Sequence, residues 1–184
     1  TDQFDNSSDR RGILWARNVC WDLARQMGYR YFVQIDDDYT AWIYRRLGRG
    51  HRLSTTAGEE YHGWSTRSLD AVFDALVRLV ETTPVTTIAL SQGGDHIGGG
   101  PRKQRFKRKA MNSFVCSVDK PIRFRGRLND DVTAYVSLGG TGTLFFTDME
   151  LQLDQLATQA NSGGSSEVYQ ESGTYVKTFY TVMA

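Results

Sequence analysis

Three consecutive carboxylates, Asp36, Asp37 and Asp38, close an apolar run that begins at Tyr31. Three acids cannot share a dry core without a counter-charge. A strand that delivers them to its C-terminal edge solves this, because open α/β sheets place their ligands there. Side chains alternate along a strand, so Asp36 and Asp38 share a face. Two carboxylates on one face can hold a hard divalent cation, Mn2+ or Mg2+. A solvated acidic turn is the competing reading of so short a motif. A second acidic pair, Asp130 and Asp131, follows Asn129 much later in the chain. One cluster engaged with a cation and another available as a base is the equipment of a group-transfer enzyme. The same acids can instead cap the helix that begins after Asn129.

Polar and basic segments surround these acids. Residues Ser91–Gly100 carry five glycines around Asp95 and His96, and glycines let a backbone approach a ligand closely. Arg102–Lys109 packs six basic residues around Phe106, a pattern suited to nucleic-acid phosphates and equally to a solvated loop. Arg45, Arg46, Arg49 and Arg52 give a basic tip to an expected hairpin of Thr40–Arg46 and His51–Thr56.

The elements that must position these groups follow from periodicity. From Leu14, the residues Ala16, Val19, Cys20, Leu23, Ala24 and Met27 keep helical spacing, and Gly28 stands at a C-cap position. Strand Tyr31–Asp38 follows at once, and such an αβ unit belongs to doubly wound sheets. Ser68–Thr82 reads as an amphipathic helix, followed by Pro84 and a strand at Val85–Leu90. Ser113–Val118, Ile122–Phe124 and Thr143–Thr147 read as further strands, and Asp130 starts a helix running through Tyr135. The 184 residues, 40% hydrophobic and 23% charged with a net charge of +1, suit one soluble globular domain over 1–184. Neither a membrane span nor a signal peptide is legible. Cys20 and Cys116 read as buried free thiols of a reducing compartment, with a disulfide between them as the alternative.

In order, the segments Ala16-Arg17-Asn18, Asp36–Asp38, Gln92–Gly99, Arg108–Ser113, Arg127–Val132, Thr158-Gln159, Gly163-Gly164 and Gly173–Tyr180 resemble the TET-associated glycosyltransferases of bacteriophages. These are glycosyltransferases of the GT-A type. The resemblance implies an α/β fold with an open, Rossmann-type mixed sheet flanked by helices. It implies transfer of a sugar from a nucleotide donor, most often a UDP-sugar, to a hydroxymethylated pyrimidine in DNA such as 5-hydroxymethylcytosine. It implies Mn2+ or Mg2+ at Asp36, Asp37 and Asp38, with Asp131 as the catalytic base and Asp130 as its adjacent rival. Donor contacts are expected from Arg17, Asn18, Gly93, Gly94, Asp95 and Lys177, and acceptor contacts from His96 and Asn112. DNA contacts are expected from Arg102, Lys103, Arg105, Lys107, Arg108, Arg45 and Arg46. The expected setting is the cytoplasm of an infected bacterial host, with no membrane partner.

The chain departs from that pattern at its start. Enzymes of this fold begin with a nucleotide-binding βαβ unit, and about one loop's worth of residues precedes the Ala16-Arg17-Asn18 helix. The chain is therefore expected to be a fragment, to have that unit permuted, or to carry a reduced donor site. Two other readings compete: a non-catalytic DNA-binding module on a degenerate transferase fold, and a metal-dependent nuclease or nucleotidyltransferase.

Overall fold

The computed structural model describes residues 13–47, 52–53, 61–96, 113–126, 128–155, 173 and 175–183. Among the described residues, four helices, α1 (Leu14–Gln26), α2 (Leu69–Thr82), α3 (Asp130–Gly139) and α4 (Val176–Met183), accompany seven strands. The strands are β1 (Tyr31–Gln34), β2 (Tyr39–Leu47), β3 (Arg52–Leu53), β4 (Tyr61–Ser65), β5 (Thr87–Gln92), β6 (Phe114–Ser117) and β7 (Phe145–Gln155). They form one sheet in the order β1-β6-β5-β7-β2-β4-β3. Only β5 and β7 pair in parallel; every other neighbouring pair is antiparallel. The fold is thus mixed α/β, with far less parallel pairing than the αβ unit at α1 and β1 suggests.

The alternation of β1 and β6 sorts the core into two layers. Phe32, Phe114 and Cys116 point to one face, where Leu14 and Trp21 of α1 and Ala134 of α3 cover them. Val33 and Val115 point to the other, against Leu76 and Val80 of α2. Ser68 caps α2 by accepting from the Ala71 amide.

The acidic triplet joins β1 to β2, and this shapes the sheet. Three strands lie between β1 and β2. In a flat sheet that separation is about 19 Å, whereas the steps from Gln34 to Tyr39 reach about 17 Å when fully extended. The connection therefore spans only a curled sheet, and it crosses the edge at which β1, β5 and β7 all end.

Several sequence expectations are corrected. The buried face of α1 is Leu14, Arg17, Trp21 and Ala24, whereas Val19, Leu23 and Met27 are each more than half exposed. The helix is apolar on two sides, and the large indole of Trp21 decides which one turns inward. The expected hairpin does not form: β2 and β3 both pair with β4, which lies between them. Tyr61–Ser65 is short and contains Gly63, so it carries little strand signal, and Arg45 is buried rather than at a tip. Residues Ile122–Phe124 are not a strand, because the Phe124 backbone bonds the Asn18 side chain instead of a ladder. Strand β7 runs on to Gln155, well beyond Thr147.

Phe124 is fully buried and meets Phe114 edge-on at 5.1 Å. Phe124→Ala should lower unfolding free energy by about 3–5 kcal/mol. Urea denaturation checks this; a loss below 1 kcal/mol would mean that this core does not form as described.

Candidate active site

Arg17 joins the two acidic motifs. It lies on the inward face of α1 with 4% of its surface exposed. Its Nη2 donates to Asp36 Oδ1 at 2.9 Å. Its Nε stands 2.9 Å from Asp130 Oδ2, a charge contact without the alignment of a hydrogen bond. The guanidinium lies over the rings of Phe114 and Phe124, 5.1 and 5.4 Å from their centroids. A buried cation needs carboxylates around it, and aromatic faces add attraction that water would otherwise screen.

The supports of Arg17 are local. Gln34, the last residue of β1, donates to the Arg17 carbonyl at 2.8 Å. Asn18 donates to the Phe124 carbonyl at 3.0 Å and accepts from the Phe124 amide at 2.9 Å. Helix, strand end and the 122–124 segment are therefore locked around one guanidinium.

The Asn129–Asp131 turn starts α3. Asn129 takes a left-handed backbone with φ of 59°, a conformation Asn tolerates better than most side-chain-bearing residues, and its amide donates to Thr181 of α4 at 2.5 Å. Asp130 then points inward to Arg17, while Asp131 is half-buried and accepts from Tyr135, one turn on, at 3.2 Å. Burial pushes the Asp130 carboxyl up to about 7, against the pull of Arg17 and with a further push from Asp131. Burial likewise pushes the Tyr135 phenol above its ordinary value, so it remains a neutral donor to Asp131.

The acidic turn is asymmetric. Asp36 has one oxygen on Arg17, Asp37 is exposed, and Asp38 Oδ1 is buried without a protein partner. Beside them Gln92, at the end of β5, donates to the Tyr39 hydroxyl at 2.6 Å. Asp95 accepts from the Gln92 amide at 2.9 Å and closes the 3-10 turn Gly93–His96. Among the described residues no group of three or more His, Cys, Asp or Glu can hold a metal ion by itself. Mg2+ needs fewer: one or two carboxylates suffice when water and substrate phosphates fill the remaining positions. The unpartnered Asp38 oxygen is a donor of that kind.

The profile of one family, TET-associated glycosyltransferase, matches residues 2–164. The chain belongs to this family of glycosyltransferases. No curated protein and no solved structure matches the chain. No helix among the described residues is long and apolar enough to cross a membrane.

For a member of this family, the placement of the expected residues is instructive. Asp36 and Asp130 meet at Arg17, with Asp38 two residues from the first and Asp131 beside the second. Arg17 and Asn18 differ from expectation: both are engaged inside the fold and present no side chain outward to a donor. Asp95 is also turned inward, 7% exposed, so what its turn can offer a ligand is backbone at Gly93, where a Cβ would meet open space. Arg45 is buried within β2. Arg46 and Lys177 lie in β2 and α4, and Gly94 and His96 lie in the 3-10 turn. Arg102, Lys103, Arg105, Lys107, Arg108 and Asn112 lie outside the described residues. Sequence reasoning passed over Tyr39, Gln92 and Tyr135. The four-residue step from Asp131 to Tyr135 was a usable signal, since such pairs meet on a helix.

The raised Asp130 sets a pH dependence. An acid whose folded value lies above its unfolded one stabilises the fold fully below the unfolded value and loses that contribution as pH rises. Between about pH 4 and about 7, the wild type should lose stability relative to Asp130→Asn. Urea titrations across that range test this, and parallel curves for the two proteins would contradict it.

Proposed function

We propose that this glycosyltransferase moves a sugar from a nucleotide donor, a UDP-sugar, to the hydroxymethyl group of a modified pyrimidine in DNA, with Mn2+ or Mg2+ at the acidic turn. The observation that carries this reading is the convergence of two acidic motifs through Arg17, at the sheet edge where β1, β5 and β7 end. A bound cation would supply Lewis-acid stabilisation of the charge that develops on the departing diphosphate.

The residues divide the remaining work. Asp38, with its unpartnered oxygen, would hold the cation on the donor side, with Asp36 as its neighbour in the same turn. Glycine at Gly93 lets the backbone come close to the donor. Asp131 removes the proton of the acceptor hydroxyl as the new bond forms. Its Oδ2 already accepts from Tyr135, which fixes the carboxylate and leaves Oδ1 for the acceptor. A carboxylate clear of the cation is the better base, since a bound one has its charge engaged. Asp130 points inward to Arg17, which favours Asp131 over it for this role. The basic residues of Arg102–Lys109 hold DNA phosphates, and the target base is flipped out or taken from a single strand.

Incubation of hydroxymethylated DNA with a panel of sugar nucleotides and Mn2+, read by mass spectrometry, should show one added hexose mass. Asp131→Asn should retain donor and DNA binding while turnover falls by roughly two to four orders of magnitude. Near-normal turnover in that variant returns Asp131 to a structural role.

A further inference from the structure

We infer that Arg17 is a positioning residue: it ties the acidic turn after β1 to the first turn of α3, so that Asp38 and Asp131 keep one spacing. This deepens the proposed reading of the site and rests on it for the identity of the ligand. The resemblance assigns Arg17 to the donor, but the geometry turns it inward. Two of its nitrogens meet two carboxylates from segments far apart in the chain. Two aromatic rings hold the guanidinium plane. Its own carbonyl is bonded by Gln34, at the start of the acidic turn.

The link acts on Asp38 and Asp131 through the residues beside them. Asp36 is two residues from Asp38, and Asp130 adjoins Asp131. Holding the first member of each pair fixes the backbone from which the second projects. It also compensates charge: several carboxylates crowd one edge of the sheet, and one buried cation between them lets them stand close. A lysine cannot replace it, because a single ammonium lacks the planar fork that reaches two acids in fixed directions.

Two measurements decide this, and neither needs sugar transfer. Asp130→Asn removes the charge at the far end of the link and keeps every group of the acidic turn. Backbone NMR order parameters at residues 36–38 should then fall toward the flexible range, below about 0.6, with α2 unchanged. Asp36→Asn should do the same to the first turn of α3. Unchanged order parameters in both variants overturn the inference.

The second measurement uses Mn2+ alone, followed by electron paramagnetic resonance. Arg17→Lys should weaken Mn2+ binding about tenfold with no nucleotide present, as loss of outer-shell support does. If Mn2+ affinity holds while affinity for uridine diphosphate falls, Arg17 is a donor contact and the inference fails. If both hold and only the melting temperature falls, the link is structural and the inference fails as well. Should Arg17→Lys not fold, Asp130→Asn takes its place in the Mn2+ titration, with a fall expected there too. A wild-type chain that binds no Mn2+ sinks the metal assignment proposed above, while the order parameters still decide the link.

Discussion

A buried guanidinium must be neutralised where it lies, and that requirement organises this protein. Arg17 cannot occupy the interface between α1 and β6 unless carboxylates reach it. Asp36 and Asp130 reach it only if the turn after β1 and the start of α3 converge. The convergence in turn depends on the two-faced sheet, because α1 and α3 must cover the same side of β6. Removing one partner from such an arrangement leaves an uncompensated charge and is far more damaging than replacing the whole set by apolar groups. The site and the core are thus one structure, with Phe114 and Phe124 serving both.

The same arrangement separates duties among neighbouring acids. Adjacent residues in a turn or at a helix start project in different directions, so each acidic motif gives one carboxylate to Arg17 and turns another elsewhere. Asp36 and Asp130 are the inward members, whereas Asp38 keeps an oxygen without a protein partner and Asp131 is held by Tyr135. Clustered acids of like charge would repel if all faced the same way.

Much of this was legible in the sequence where a local rule governs. The helix at Leu69–Thr82 and the helix starting at Asp130 follow from spacing, capping and the acids themselves, whereas the strand expected to run to Asp38 stops at Gln34 and leaves the acids in a turn. Gly28 takes a φ of 78° just past α1, as a C-terminal glycine should. What was illegible depends on partners distant in sequence. Nothing local says that Arg17, one polar residue among apolar neighbours, turns inward while Leu23 turns outward. Nor does it say that β4 inserts between β2 and β3, or that a stretch such as Ile122–Phe124 gives its backbone bonds to Asn18. Both acidic motifs could be named as candidates from residue type, but their meeting could not, since it is made by the guanidinium of a third segment.

The connection between β1 and β2 has a consequence for how the chain acquires its site. Strand β1 pairs with β6, and β2 pairs with β7. Both partners arrive long after the acids in order of synthesis. Sheet pairing across such separations is slow, because the intervening loops must be closed before any contact rewards the closure. While β7 is still being made, Asp36–Asp38 join β1, whose neighbour β6 is already present, to β2, which so far has only β4 beside it. Assembly of the chemistry is accordingly among the last events of folding, and a nascent chain released before Gln155 carries the acidic motif without its geometry.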